Sequence, residues 1–465
     1  MKKDQKSSNV RTVSDSMGKI NVPADVSYGA QTQRAVENFP ISGIQFNKNF
    51  ISAIVIIKRS AAIVNHKLKL LNKNQKNAIV KASDYILEND ISKEFPVDIF
   101  QTGSGTSTNM NVNEVIATIA NKYIDKNEVL HPNDHVNMGQ SSNDVIPTAI
   151  HVSSLIIIEN FLEPSLKRLE NSLLVKVKEF KNILKIGRTH LQDATPMTLG
   201  QEFSGYKQIL TINIKQIKES KKNLSYLAQG GTAVGTGINT HKNFGKLISS
   251  EISKFTGISF SESVNHFEAQ SFQNGTVQFS SSLKTLAVGL HKIANDIRWL
   301  ASGPRSGIGE LIIPPVQPGS SIMPGKVNPV ICESMIQVCS QVIANDLAIT
   351  LGGIGSIFEL NLMLPLIAHN LLYSLEILSN SINVFNDKLL IDLKANNEKC
   401  NEYIEGSLAM CTSLAPVIGY DEATKIAYEA YKKNKTIKEI LEKKDILSKE
   451  QINKLLDPKS MLKPK

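Results

Sequence analysis

The strongest constraint on this chain is a run of helical periodicity from about residue 145 to residue 395. Apolar residues recur every three or four positions over roughly 148–182, 196–228, 265–301, 328–351 and 363–393, which predicts five long amphipathic helices. At about 1.5 Å per residue, each spans about 35 to 55 Å. Helices of that length pack side by side as an elongated bundle. The segment Val338 to Leu351 carries one charge, Asp346, and its apolar residues spread well beyond one face. A helix like that is buried on most sides. One bundle of five offers it little interior, so it is expected to pack against copies of itself in an oligomer.

The bundle, 141–395, is read as the middle of three domains. Residues 1–140 mix short helical patterns with turn formers such as Val22-Pro23, Phe39-Pro40 and Phe95-Pro96. Residues 396–465 form a small helical tail with helices expected near 404–415, 421–432, 436–443 and 448–455. Alternating strand patterns are nearly absent, and the class is all-α.

Composition narrows the function. The net charge of +9 is spread along the chain, and the basic tail interleaves Glu439, Glu442 and Asp445. That reads as a solvated surface and argues against a nucleic-acid partner. The longest apolar runs, such as Leu155 to Ile158, fall far short of a membrane span, so no membrane partner is expected. Cys332, Cys339, Cys400 and Cys411 lack metal-site spacing and are too few for a disulfide framework. A cytoplasmic location is expected. The start, Met1 to Lys6, is basic without an apolar core, so it is read as neither a secretory signal nor a transit peptide.

Five segments break the helical pattern with dense small polar residues: 102–111, 131–144, 187–194, 230–237 and 319–329. Several precede a predicted long helix, where unsatisfied N–H groups and the helix dipole favour an anion. The last, Gly319-Ser320-Ser321-Ile322-Met323-Pro324-Gly325-Lys326-Val327-Asn328-Pro329, combines hydroxyls, a cation and an amide with little apolar filler. It is not a phosphate loop, because five residues separate Gly319 from Gly325 and Val327 follows Lys326. His131, His135 and His190 sit in polar turns where an imidazole could relay a proton. The four-residue spacing of His131 and His135 would suit a metal pair on a helix. Pro132-Asn133-Asp134 instead reads as a turn with no third ligand, so no metal and no cofactor is expected.

Gly-Ser-Ser-x-Met-Pro-x-Lys-x-Asn at 319–328 resembles the signature of the fumarase/aspartase superfamily. The likeness runs from Asp15-Ser16-Met17-Gly18 and Gly29 to Arg34 into Ile418-Gly419-Tyr420-Asp421. Ser141-Ser142-Asn143-Asp144, Gly303 to Glu310 and Pro324-Gly325-Lys326 resemble class II, iron-independent fumarases more than aspartases. The resemblance implies a homotetramer with a twenty-helix core and active sites built from three subunits. It implies reversible, stereospecific hydration of fumarate to L-malate, a step of the tricarboxylic acid cycle, with aspartate ammonia-lyase as the alternative and a non-catalytic, crystallin-like descendant as another class.

By the same resemblance, Ser320 takes the C3 proton, and His190, oriented by Glu333, acts on the hydroxyl side. Lys326 and Asn328 stabilise the carbanion. Ser104, Thr106, Ser141, Ser142, Asn143 and Thr189 hold the dicarboxylate. His131, Asn133 and Asp134 match a second anion site, with Glu128 where some relatives carry a basic residue.

Overall fold

The computed structural model describes residues 9–464, so the N-terminal run Met1 to Lys6 lies outside the described residues. In chain order the first helices are α1 (Ala30–Asn38), α2 (Lys48–Lys67), α3 (Lys73–Glu88), α4 (Thr106–Ala120), α5 (Ser142–Ile157) and α6 (Glu163–Glu179). There follow α7 (Leu199–Ser220), α8 (Phe244–Thr256), α9 (His266–Ser271), α10 (Asn274–Leu300), α11 (Val330–Ile354) and α12 (Leu364–Phe385). The tail holds α13 (Asn397–Gly406), α14 (Ala415–Ile418), α15 (Tyr420–Lys433), α16 (Ile437–Lys444) and α17 (Lys449–Leu455). The all-α class is what the periodicity predicts.

The described chain forms two compact units. One takes residues up to Pro164, Lys215–Thr285 and Ser340–Leu378; the other takes Ser165–Ile214, Leu286–Cys339 and the chain from Ser379 onward. The divisions fall inside α6, α7, α10, α11 and α12, so each of these long helices contributes to both units. In the first unit Ser280 of α10 bonds Asp346 of α11 at 2.7 Å, and Asn345 of α11 bonds Ser374 of α12 at 2.9 Å. In the second, Thr211 of α7 bonds Glu170 of α6 at 2.6 Å, and Tyr206 of α7 bonds Asp296 of α10 at 3.2 Å. Arg168 of α6 reaches Asp387, just past α12, at 2.6 Å. The long helices are therefore paired neighbours, each link lying within one unit.

Some boundaries differ from the sequence reading. Helix α5 starts at Ser142 and runs through Pro147, which forfeits one backbone bond. A capping box, in which Ser141 and Asp144 satisfy each other's amides, fixes that earlier start. A wide turn at Ile158–Leu162 continues α5 into α6, giving one 38-residue stretch, Ser142–Glu179. By length and hydropathy this stretch and α11 reach the membrane-spanning range, beyond the short apolar runs visible in the sequence. Of the most apolar window of the first, 72% is buried inside the fold, as in a core helix; for α11 the share is 39%. Ile343, Leu347, Leu351 and Ile354 lie exposed along one stripe of α11.

Strands are also more numerous than expected: five two-stranded sheets occur among the described residues. The two long hairpins are β1 (Val10–Asp15) with β2 (Gly18–Pro23), and β3 (Leu184–Thr189) with β4 (Gln192–Thr198). In β3 the consecutive residues Lys185, Ile186 and Gly187 are all buried. Only Leu184 and Ile186 of β3 are apolar, too short an alternation to mark a strand, which is why the sequence hid it. Ile186 joins a core with Ile404, Met410, Leu414, Ile426 and Ile440, so the tail helices pack on this hairpin.

Candidate active site

The expected site residues fall into three local clusters. In the first unit, the N-termini of α4 and α5 bring hydroxyls together. Ser104 Oγ lies 2.7 Å from Thr106 Oγ1, which lies 2.7 Å from Ser142 Oγ. Ser141 caps α5 by accepting the Asn143 amide at 3.2 Å, and Asn143 Nδ2 donates to the Ala233 carbonyl at 2.7 Å. Two helix dipoles and a chain of three hydroxyls thus present partial positive charge and donors to one small anion. Glycine is required at the entry to α4. Gly105 sits at φ +73°, and a Cβ on Gly103 would stand 1.9 Å from the Leu362 carbonyl oxygen.

A buried polar layer backs this cluster. Asp144 is fully buried and accepts the amides of Ser141 (2.9 Å), Thr232 (2.9 Å) and Gly230 (3.2 Å). It ties the Ser141–Asn143 segment to the glycine loop at 230–237. Burial pushes its carboxyl up to about 6, against the pull of those three amides and of Lys58. Lys58, inside α2, donates to Asn137 Oδ1 at 2.7 Å. Burial drives its ammonium down to about 7, with the Asp144 charge opposing. Asn137 Nδ2 in turn donates to the Gln140 carbonyl at 3.1 Å, so the layer fixes the approach to Ser141. The sequence reading missed Lys58, Asn137 and Asp144 in this role. A charge directly after the apolar run Ile54-Val55-Ile56-Ile57 was the available signal.

The second cluster lies in the other unit, on the β3–β4 hairpin. Thr189 closes β3, and the two-residue loop is His190 and Leu191, at φ +55° and +59°. Left-handed backbone at both loop positions is the geometry that Asn-Gly usually supplies. Two bulky residues there mark stored strain. Thr189 and His190 are exposed, and His190 makes no side-chain hydrogen bond among the described residues of its own chain.

The third cluster is the signature loop, also in that unit. Gly319 N–H donates to the Lys326 carbonyl at 2.8 Å, and Asn328 Nδ2 donates to the Gly319 carbonyl at 2.6 Å. Asn328 therefore spends one donor on closing the loop. Ser320 Oγ accepts two backbone amides, Ile322 at 3.2 Å and Met323 at 3.0 Å. Lys326 is exposed on the same loop, and Glu333 is exposed in the first turn of α11. Neither Glu333 nor His190 finds the other through a hydrogen bond or ion pair within the described chain.

His131, Asn133 and Asp134 lie elsewhere in the first unit, on a wide turn at Pro132–Val136. His131 Nδ1 faces the amides of Asn133 and Asp134, each at 3.3 Å, and the Asp134 carboxylate at 3.2 Å. A ring nitrogen cannot accept from an amide and donate to a carboxylate at once. With a bare Nδ1 the ring accepts from the amides; with a hydrogen on Nδ1 it donates to Asp134.

Comparison with known proteins decides the family. A profile described as "Lyase" matches residues 18–344, and one described as "Fumarase C C-terminus" matches 410–463. The class II fumarate hydratase of Bacillus cereus is 48% identical over 97% of this chain and 98% of its own length. That of Helicobacter pylori is 48% identical over the same shares. The chain belongs to the class II fumarate hydratase family. The crystal structure of class II fumarase from Schistosoma mansoni superposes with a TM-score of 0.94 at 40% identity, covering 97% of this chain and 99% of that one. The ammonia-lyase alternative is not favoured, since these two relatives, matched over nearly their full length, are class II fumarate hydratases.

Proposed function

We propose that the protein catalyses the reversible, stereospecific hydration of fumarate to L-malate, a tricarboxylic acid cycle step, in a reducing cytoplasm that keeps its four cysteines as thiols. The observation that carries the chemistry is Ser320 Oγ accepting two backbone amides on the loop that bears Lys326. A hydroxyl so held is stabilised as its oxyanion, which a base for a weakly acidic C–H requires.

In this reading Ser320 takes the C3 proton of malate, and the extra charge spreads onto the adjacent carboxylate. Lys326 and the remaining N–H of Asn328 stabilise that aci-carboxylate. Ser104, Thr106, Ser141, Ser142, Asn143 and Thr189 fix both carboxylates. His190 protonates the leaving hydroxyl, or activates water in the other direction, with Glu333 as its orienting partner. Since the chain alone leaves the His190–Glu333 pair unmade, we assign that pair, and the union of the three clusters, to a homotetramer. The exposed apolar stripe of α11 supports such an assembly, because a stripe of that kind marks an interface. A second dicarboxylate would bind at the turn that carries His131, Asn133 and Asp134.

The test is the ultraviolet absorbance of fumarate, with chelator present and L-malate and L-aspartate offered in parallel. A rise with malate alone supports the reading. A rise with aspartate alone makes the protein an ammonia-lyase, and no rise from an intact oligomer removes both.

A further inference from the structure

We propose that Glu310 is a positioning residue for His190, setting the aim of the strained His190–Leu191 turn through Lys185 and Arg188; this rests on the hydratase reading above. Glu310 is fully buried, with Arg188 Nη1 at 2.9 Å and Lys185 Nζ at 3.4 Å. Lys185 is itself buried and lies 3.0 Å from Glu202 of α7. All four belong to one unit and surround the base of the hairpin that carries His190.

The hairpin is built to make this contact. Residues three apart on a regular strand point to opposite faces. Lys185 and Arg188 nevertheless both reach Glu310, because the β3–β4 register shifts between Ile186 and Arg188. The extra residue lies in β4, where Ala194 and Thr195 stand opposite Gly187, and the local twist that such a bulge adds lets Lys185 and Arg188 converge on Glu310. Glycine is needed there: a Cβ on Gly187 would stand 2.9 Å from the Thr195 carbonyl oxygen. Bulges re-aim neighbouring side chains, and Arg188 lies only two residues before His190.

The anchor is rigid. The Glu310 carbonyl accepts the Asn396 amide at 2.9 Å, and the next residues, Leu311–Ile312, pair with Lys394–Ala395. Stability alone does not call for ions here, since Ile186 already fastens the hairpin to the tail core and buried ion pairs rarely outperform apolar packing. What apolar packing cannot supply is direction. Arg188 meets Glu310 through a hydrogen bond, with Asp193 opposite it across the hairpin and the Tyr403 ring 5.5 Å away. A two-residue loop with left-handed backbone at both positions holds only where its surroundings over-determine it. Glu310 supplies that determination from one side, at the residue nearest the turn.

The experiment compares full-length wild type, Glu310→Gln, Glu310→Asp and the double variant Arg188→Met with Glu310→Gln. The double variant leaves Lys185 facing Glu202, so it folds even if Glu310→Gln, with an unmatched buried cation, does not. In Glu310→Gln and the double variant, kcat for fumarate hydration is expected to fall at least ~30-fold, the scale of loss from about an ångström of misplacement. KM stays within about threefold, because of the groups holding the carboxylates only Thr189 lies on the hairpin. Glu310→Asp recovers part of kcat. A folded double variant with kcat within threefold of wild type, or KM and kcat changing together, overturns the proposal. Hydrogen exchange at the amides of residues 189–192 needs no substrate. Faster exchange in the double variant supports the anchor, and unchanged exchange overturns it. Inactive wild type with faster exchange in the variant sinks the hydratase reading and leaves the anchor standing.

Discussion

Replacing Ser320 by Ala isolates the chemistry, because the structure predicts that little else changes. Oγ accepts the Ile322 and Met323 amides, and both residues are exposed, so water replaces the lost hydroxyl at each donor. Folding stability should therefore move by no more than ~0.5 kcal/mol, and the oligomer should stay intact. For catalysis the same two bonds matter more. A bond to an ionised acceptor is worth about 1 kcal/mol more than a neutral one, so the pair favours the serine oxyanion by roughly 2 kcal/mol. That is about 1.5 pKa units, at 1.36 kcal/mol each. Lys326 and exclusion of water supply the remainder. Loss of the base should lower kcat by about 10²–10⁴-fold, with KM within about threefold, because the carboxylate-holding groups remain. The assay is fumarate absorbance under saturating L-malate, with size and thermal midpoint checked on the same sample. Turnover above roughly one-tenth of wild type, less than the smallest loss expected of a general base, removes Ser320 from the base role.

Three further outcomes follow from local geometry. Lys58 titrates near about 7 folded, against 10.5 as its ordinary value. Between those values the unfolded chain holds a proton that the folded chain lacks, so Lys58 makes stability rise with pH by up to about 1.4 kcal/mol per unit. Lys58→Met should flatten that rise in denaturation midpoints taken at fixed chain concentration, and an unchanged slope contradicts the burial argument. Gly103→Ala forces Cβ against the Leu362 carbonyl oxygen at 1.9 Å. It should cost about 1–3 kcal/mol and raise KM for fumarate by displacing Ser104 and Thr106; normal KM and midpoint would show that the backbone there yields freely. Leu191→Gly removes a left-handed penalty of about 1–2 kcal/mol at a flexibility cost of about 0.5–1 kcal/mol. A higher midpoint with lower turnover is expected, and a lower midpoint would show that the turn is not strained.

The long helices and the signature loop were legible because each carries a local pattern. Apolar spacing marked α11 to within three residues at each end, while 148–182 merged α5 with α6 and 265–301 merged α9 with α10, because short breaks keep the apolar stripe in phase. The β3–β4 hairpin was not legible, since Leu184 and Ile186 are too few apolar residues to show an alternation. For the same reason Thr189 and His190 read as a turn before a helix, when they close a hairpin ten residues ahead of α7. The supporting residues were hidden more deeply. Asp144 reads as one half of a capping box, yet its second oxygen holds a loop about ninety residues away. Glu310 reads as the end of a family motif, and only its ion pairs with Lys185 and Arg188 show why it matters. Long-range partners leave no periodicity, so spacing cannot reveal them.

The central claim is that Ser320 and His190 serve one hydratase site that assembly of several chains completes. Mixing two inactive variants, Ser320→Ala and His190→Asn, through denaturation and reassembly tests it most directly. If Ser320 and His190 of one site come from different chains, hybrids regain roughly a quarter of wild-type fumarate hydration, the chance that random assembly supplies both intact copies. Activity no higher than that of either variant alone, from properly assembled hybrids, would contradict it.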